Sequence, residues 1–260
     1  MRPKTIRILA VLSVAVLCLI TLLALVRAPA ARAETGSFQI AQHGHHVGTA
    51  SFQFTPTSKG YSATSLVRVA MQGLNYDLSK NEQLSPAHHL LQAQVSATVN
   101  GSAVELIAQP ENGQVVLNIS ANGRKSTSRL PGHAGAVLLP DFDPGALQTL
   151  LMLGARQNSR DLWAIIPIRT GSVDPVQLAT YADMQGTLDG KPIAVHHLVA
   201  TIAGAQTELF SGPQNQLLQA ELPQDGFALV RNGFVLKPPA KAPAPPPRPQ
   251  GASGQTPPAQ

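Results

Sequence analysis

Three dipeptides constrain this chain more than any other feature. Asn100-Gly101, Asn122-Gly123 and Asp189-Gly190 each stand between two runs of alternating apolar and polar residues. Asn-Gly and Asp-Gly accept the positive φ that a two-residue hairpin needs at its central positions, so each predicts two adjacent antiparallel strands. Residues 90–99 then pair with 102–108, 115–120 with 124–130, and 177–188 with 191–202. Further strand-like runs cover 37–41, 48–54, 61–71 and 74–78 before these, and 162–168, 206–210 and 216–222 around and after them. A last hairpin is expected between 227–230 and 233–236, turning at Arg231-Asn232-Gly233. Successive hairpins predict a meander that buries one face and wets the other.

The stretch 139–154 has a different period. Asp143 is placed to cap a helix. Pro144 follows at the first helical position, where a missing N–H costs nothing. Leu147, Leu150 and Leu151 fall on one face, and Gly154 offers a stop. A helix is therefore expected over about residues 143–154. A curved sheet must cover its concave side, and this helix is the available cover. The expected fold is mainly β: a strongly curved antiparallel meander or open half-barrel with one central α-helix, spanning 34–237. Asp141 and Asp143 form an Asp-x-Asp, which in another setting would suggest a metal-assisted transferase. Here Asp143 is better used as a cap, and Asp141 sits beside a positive helix terminus.

The two ends read differently. Arg2, Lys4 and Arg7 precede an uncharged apolar run over 8–26, and Ala31-Arg32-Ala33 has the small-x-small form of a cleavage site. Residues 1–33 are expected to be a secretory signal. An N-terminal membrane anchor is the alternative, because 19 apolar residues come close to the ~20 that span a bilayer. Either way the positive flank stays inside and the rest is exported, which places the domain in the bacterial periplasm or anchored facing it. Residues 238–260 are proline-rich and carry no apolar period, so a disordered tail is expected.

Charge excludes one class of partner. The net charge of +5 comes from the leader, which holds five of the nineteen basic residues and leaves fourteen against fourteen acidic ones. The rest of the chain is neutral and has no basic patch interleaved with aromatics, so no nucleic acid is expected as partner. The single cysteine, Cys18, lies in the leader, which rules out a disulfide framework in a cleaved chain.

Histidine is the one residue type that invites a site. His43-Gly44-His45-His46, His88-His89 and His196-His197 are the clusters. Adjacent histidines on a strand point to opposite faces, and no carboxylate is spaced to complete a metal site, so no metal is expected. The nucleophile elbow, P-loop, dinucleotide-binding fingerprint, H-E-x-x-H and C-x-x-C are all missing. No catalytic residue and no cofactor is assigned.

Three further pieces carry a resemblance. Gly44-His45-His46-Val47-Gly48 resembles an early hairpin, and Leu188-Asp189-Gly190-Lys191-Pro192-Ile193 a late one. Thr207-Glu208-Leu209-Phe210, then Gln216-Leu217-Leu218-Gln219-Ala220-Glu221-Leu222-Pro223 with Val230-Arg231, resembles a closing strand pair, although Phe210 stands where tryptophan is expected. The order is similar to that in uncharacterised exported bacterial proteins with a β-rich half-barrel domain, distantly similar in shape to the Lol-type lipoprotein carriers. Those carriers hold acyl chains in a concave sheet under a helical lid. The resemblance implies a non-enzymatic envelope protein that binds an apolar or lipid-like ligand between sheet and helix. The alternatives are a structural or interaction module with a filled core, and a hydrolase with a dispersed site.

Overall fold

The computed structural model describes residues 33–157, 161–167 and 171–237. The expected leader and the expected proline-rich tail lie outside them. Among the described residues no helix is long and apolar enough to cross a membrane.

Eight strands form an antiparallel meander. They are β1 (Glu34–Gln42), β2 (His45–Thr57), β3 (Gly60–Met71), β4 (Leu74–Leu84), β5 (Leu90–Val99), β6 (Ser102–Glu111), β7 (Gln114–Ala121) and β8 (Arg124–Pro131). A short β9 (Ala136–Leu138), the helix α1 (Pro144–Gln157) and β10 (Trp163–Ile166) follow. The remaining strands are β11 (Ser172–Thr180), β12 (Met184–Leu188), β13 (Lys191–Ile202), β14 (Ala205–Ser211), β15 (Leu217–Leu222), β16 (Phe227–Arg231) and β17 (Phe234–Leu236). The two halves join because β1 pairs with β2 on one side and with β16 on the other, Phe38 opposite Arg231 and Gln42 opposite Phe227. From that seam the sheet runs outward through β2 to β8 in one direction. In the other it runs through β15, β14, β13, β11 and β10 to β9. The sheet is open, but it curls until β9 lies against β5 and β8 approaches β11.

Inward-facing residues alternate cleanly along most strands of the meander. In β1 the buried positions are Gly36, Phe38 and Ile40; in β4 they are Tyr76, Leu78, Lys80, Glu82 and Leu84. One continuous core links Phe38, Phe52 and Phe54 to Leu150, Leu209 and Leu229 across both halves. Register shifts at Ile40/Ala41, Gln83/Leu84 and Phe210/Ser211 bend the strands they interrupt and supply curvature.

Several expectations change. The hairpins at Asn100-Gly101, Asn122-Gly123 and Asp189-Gly190 form as read, each with both residues at positive φ. The 177–188 run is two strands, because the chain breaks at Tyr181-Ala182-Asp183; β11 and β12 then take different parts of the same edge of β13. The last hairpin does not form. β16 pairs with β15 and β1, whereas β17 pairs with β12. β12 and β17 cover a second, small core of Val195, Phe210, Leu218 and Phe234 on the outer face. Strands β14 and β15 are thus buried on both faces there, not wet on one. The sheet is also not purely antiparallel, since β9 and β10 pair in parallel across the helix that connects them.

Candidate functional site

The helix is the element around which any site must be built. Its cap is as expected: Asp143 Oδ1 accepts the N–H of Gly145 at 2.8 Å and of Ala146 at 3.3 Å. Gly154 does not stop it. The helix continues to Gln157, and Gly154 packs against β11, where an added Cβ would stand 2.6 Å from Leu178 Cδ1 and displace that side chain. The single apolar face is also too modest a description. Every residue from Asp143 to Leu151 is buried, and Leu153, off the 147/150/151 stripe, is fully so. A sheet wrapped round the helix removes the solvent side that amphipathic spacing presupposes.

Three polar clamps hold it. At the N-terminal end Lys80 Nζ lies 2.7 Å from Asp143 Oδ2 and 3.1 Å from Glu82 Oε2, with all three side chains at most 1% exposed. Burial opposes the charge on Lys80, but the two carboxylates more than offset it and hold the ammonium above its usual range. Burial pushes Glu82 up, with Asp143 adding to it and Lys80 only partly offsetting it. Tyr76, facing the same space, is raised by burial and then by Asp141 and Asp143. In mid-helix the Gln148 amide donates to Asn215 O at 2.9 Å and accepts from Leu217 N–H at 2.6 Å. At the C-terminal end Arg156 Nη1 donates to Pro86 O at 3.1 Å.

A cleft opens at each end. The first, about 340 Å³, lies between the start of the helix and the tips of the β13–β14 and β15–β16 hairpins. Leu139, Phe142, Leu147, Ile166, Ile202, Leu222 and Leu229 make its apolar wall, and Asp141, Gln206, Thr207, Gln224 and Asp225 its polar lining. The second, about 410 Å³, lies at the other end among Glu34, Phe54, Tyr61, His88, Met152, Ala155, Arg156, Gln214 and Asn215. Backbone conformation singles out the same two places. Among the described residues ten non-glycine residues have positive φ, and six of them are first residues of two-residue hairpins. The other four are Phe142 in the first cleft and His88, Gln214 and Asn215 in the second. Such conformations cost energy and persist where the surroundings impose them.

The histidines separate. His43 occupies a hairpin turn, and it, His45 and His46 are exposed. His196 and His197 do face opposite ways, His196 Nδ1 lying 3.0 Å from Asp183 Oδ1 and His197 Nε2 3.3 Å from Glu208 Oε2. His197 also stacks on Phe210 and His133 on Trp163. Among the described residues no three His, Cys, Asp or Glu side chains gather closely enough to hold a metal ion. His88 differs from the rest. It lies flat on Tyr61, ring centres 4.6 Å apart, and is 5% exposed. Burial, then Arg156 and His89, push its pKa down to about 4. A depressed histidine pKa contributes stability that is full above the unfolded value of 6.5 and is lost as pH falls through about 4. His88→Asn, which tolerates the same backbone conformation, is therefore expected to flatten the stability profile over that window. Chemical denaturation at a series of pH values checks this, and coincident profiles for the two proteins would refute it.

Lys80 and Glu82 escape sequence reading because charges at inward positions make a strand look as if it has ended at Leu78. The period-two continuation Tyr76, Leu78, Lys80, Glu82, Leu84 is the signal that reveals them. The two clefts are formed by residues far apart in the chain and leave no local pattern. Compared with known protein families, curated proteins and solved structures, this chain matches none.

Proposed function

We propose that this chain is an exported envelope protein that binds an apolar or lipid-like molecule in the cleft beside the helix N-terminus, without chemistry of its own. The observation that carries the reading is the cleft itself: about 340 Å³, walled by seven apolar side chains and edged by polar ones. Ligand sites of this kind are concave and mostly apolar, with a few polar groups that set orientation. Export is supported by the leader and by the position of β1, which begins at Glu34, directly after Ala31-Arg32-Ala33. Cleavage there leaves the first strand whole.

The clamped helix narrows the proposal. Buried on every side from Pro144 to Leu151 and fixed at three points, the helix is a plug rather than a lid. The ligand must enter through the mouth between the hairpin tips, and the volume suits one acyl tail or a compact ring system, not the several chains of a lipoprotein anchor. Ala205 stands exposed at that mouth. Ala205→Trp is expected to weaken uptake of a fluorescent fatty acid by about tenfold or more while leaving the melting temperature unchanged. Absence of uptake by the unaltered protein, together with no lipid co-purifying in native mass spectrometry, would sink the reading and favour an interaction module with a filled core.

A further inference from the structure

The second cleft differs chemically from the first. It brings together β1, β2, β3, the β4–β5 loop, the last turn of α1 and the β14–β15 loop, so both halves of the chain build it. Two side-chain atoms in its lining residues, Glu34 Oε1 and His88 Nδ1, are shielded from solvent and have no hydrogen-bond partner among the described residues. Buried polar atoms are nearly always paired, and each unpaired one calls for an explanation. His88 itself and Gln214 and Asn215 in the same lining have positive φ. Arg156 supplies a cation at the exposed side of the same cleft. It uses Nη1 on Pro86 O, and a guanidinium carries five N–H groups in all.

We propose that this cleft binds a small zwitterion of the α-amino-acid class, its ammonium directed to Glu34 and His88 and its carboxylate to Arg156. An ammonium has three N–H donors, enough in number for both unpaired atoms. His88 can accept because its imidazole stays neutral at physiological pH. Phe54, Met152 and Ala155 offer an apolar wall for a side chain. Neither half of the ligand suffices alone: an amine meets the positive field of Arg156, and a carboxylate meets Glu34. The site is independent of the apolar cleft at the other end of the helix and stands or falls separately.

Titration calorimetry of the full chain with glycine, L-leucine, L-glutamate and L-lysine tests this, with acetate and methylammonium as half-ligands. At least one amino acid is expected to bind with a dissociation constant below about 1 mM, and both half-ligands at least about tenfold more weakly. Glu34→Gln and Arg156→Gln should each weaken that binding by about tenfold or more in protein that still unfolds cooperatively. Arg156 is exposed, so its variant keeps the test open if Glu34→Gln fails to fold. Lack of binding by all four amino acids overturns the proposal. So does binding that neither folded variant weakens, or a half-ligand that binds as well as the amino acid.

Discussion

Lys80→Met is expected to lower the unfolding free energy by about 3–5 kcal/mol, the usual cost of removing one partner from a buried ion pair. The substitution keeps side-chain volume but leaves the Asp143 and Glu82 carboxyl groups facing each other without a cation, in a site from which water is excluded. Glu82, already raised by burial, loses the cation that lowers it, so the variant should regain stability as pH falls, against the ordinary trend of acid denaturation. Urea unfolding at neutral and mildly acidic pH measures both effects. A loss under about 1 kcal/mol at neutral pH would show that the cluster contributes little beyond volume. Asp143→Asn separates the two duties of that side chain. Asparagine caps a helix as well as aspartate, so a cap alone predicts almost no change, whereas an ion-paired cap predicts a clear loss. From the sequence, Asp143 is worth only the ~1 kcal/mol of a surface cap; the structure makes it the joint between helix and sheet.

Leu153→Ala carries the second large effect, about 2–5 kcal/mol, as for other fully buried leucines. Its interest lies in where Leu153 stands. A helix lying on a sheet with one apolar face leaves position 153 near solvent, and truncation there would be close to neutral. A helix enclosed by the sheet makes Leu153 as costly to truncate as Leu150, and both are at most 1% exposed. Equal losses in the two variants, from parallel denaturation curves, are the expected result. A Leu153→Ala loss below about 0.5 kcal/mol would mean that the helix has a free side, and the lid reading would return.

How far the fold was legible depends on the range of the interaction responsible. Residues 90–99 and 191–202 were read to the residue because turn chemistry and alternation act over a few positions. The helix start was read from Asp143-Pro144 for the same reason. Its end lies at Gln157 and not at Gly154, which packs against Leu178, a neighbour distant in sequence. β9 was missed since three apolar residues carry no period, and β17 was paired with the wrong strand since its partner is β12, nearly fifty residues earlier. The buried Lys80–Glu82–Asp143 cluster is the sharpest case. Each member is ordinary in its own segment, and only the approach of the helix cap to β4 turns these charges into one buried unit.

The seam between β1 and β16 governs when the protein can fold. Residues 38–42 form part of their hydrogen-bond ladder with residues 227–231, so the first strand lacks one flank until almost the whole chain has been made. Pairing over such a separation must meet the loop-closure entropy before it gains contacts, which slows folding. For an exported chain, as proposed here, that delay sets an order of events. The hairpins of β1 to β8 can form among themselves, but the seam that joins the two halves closes only once the carboxyl-terminal strands are available.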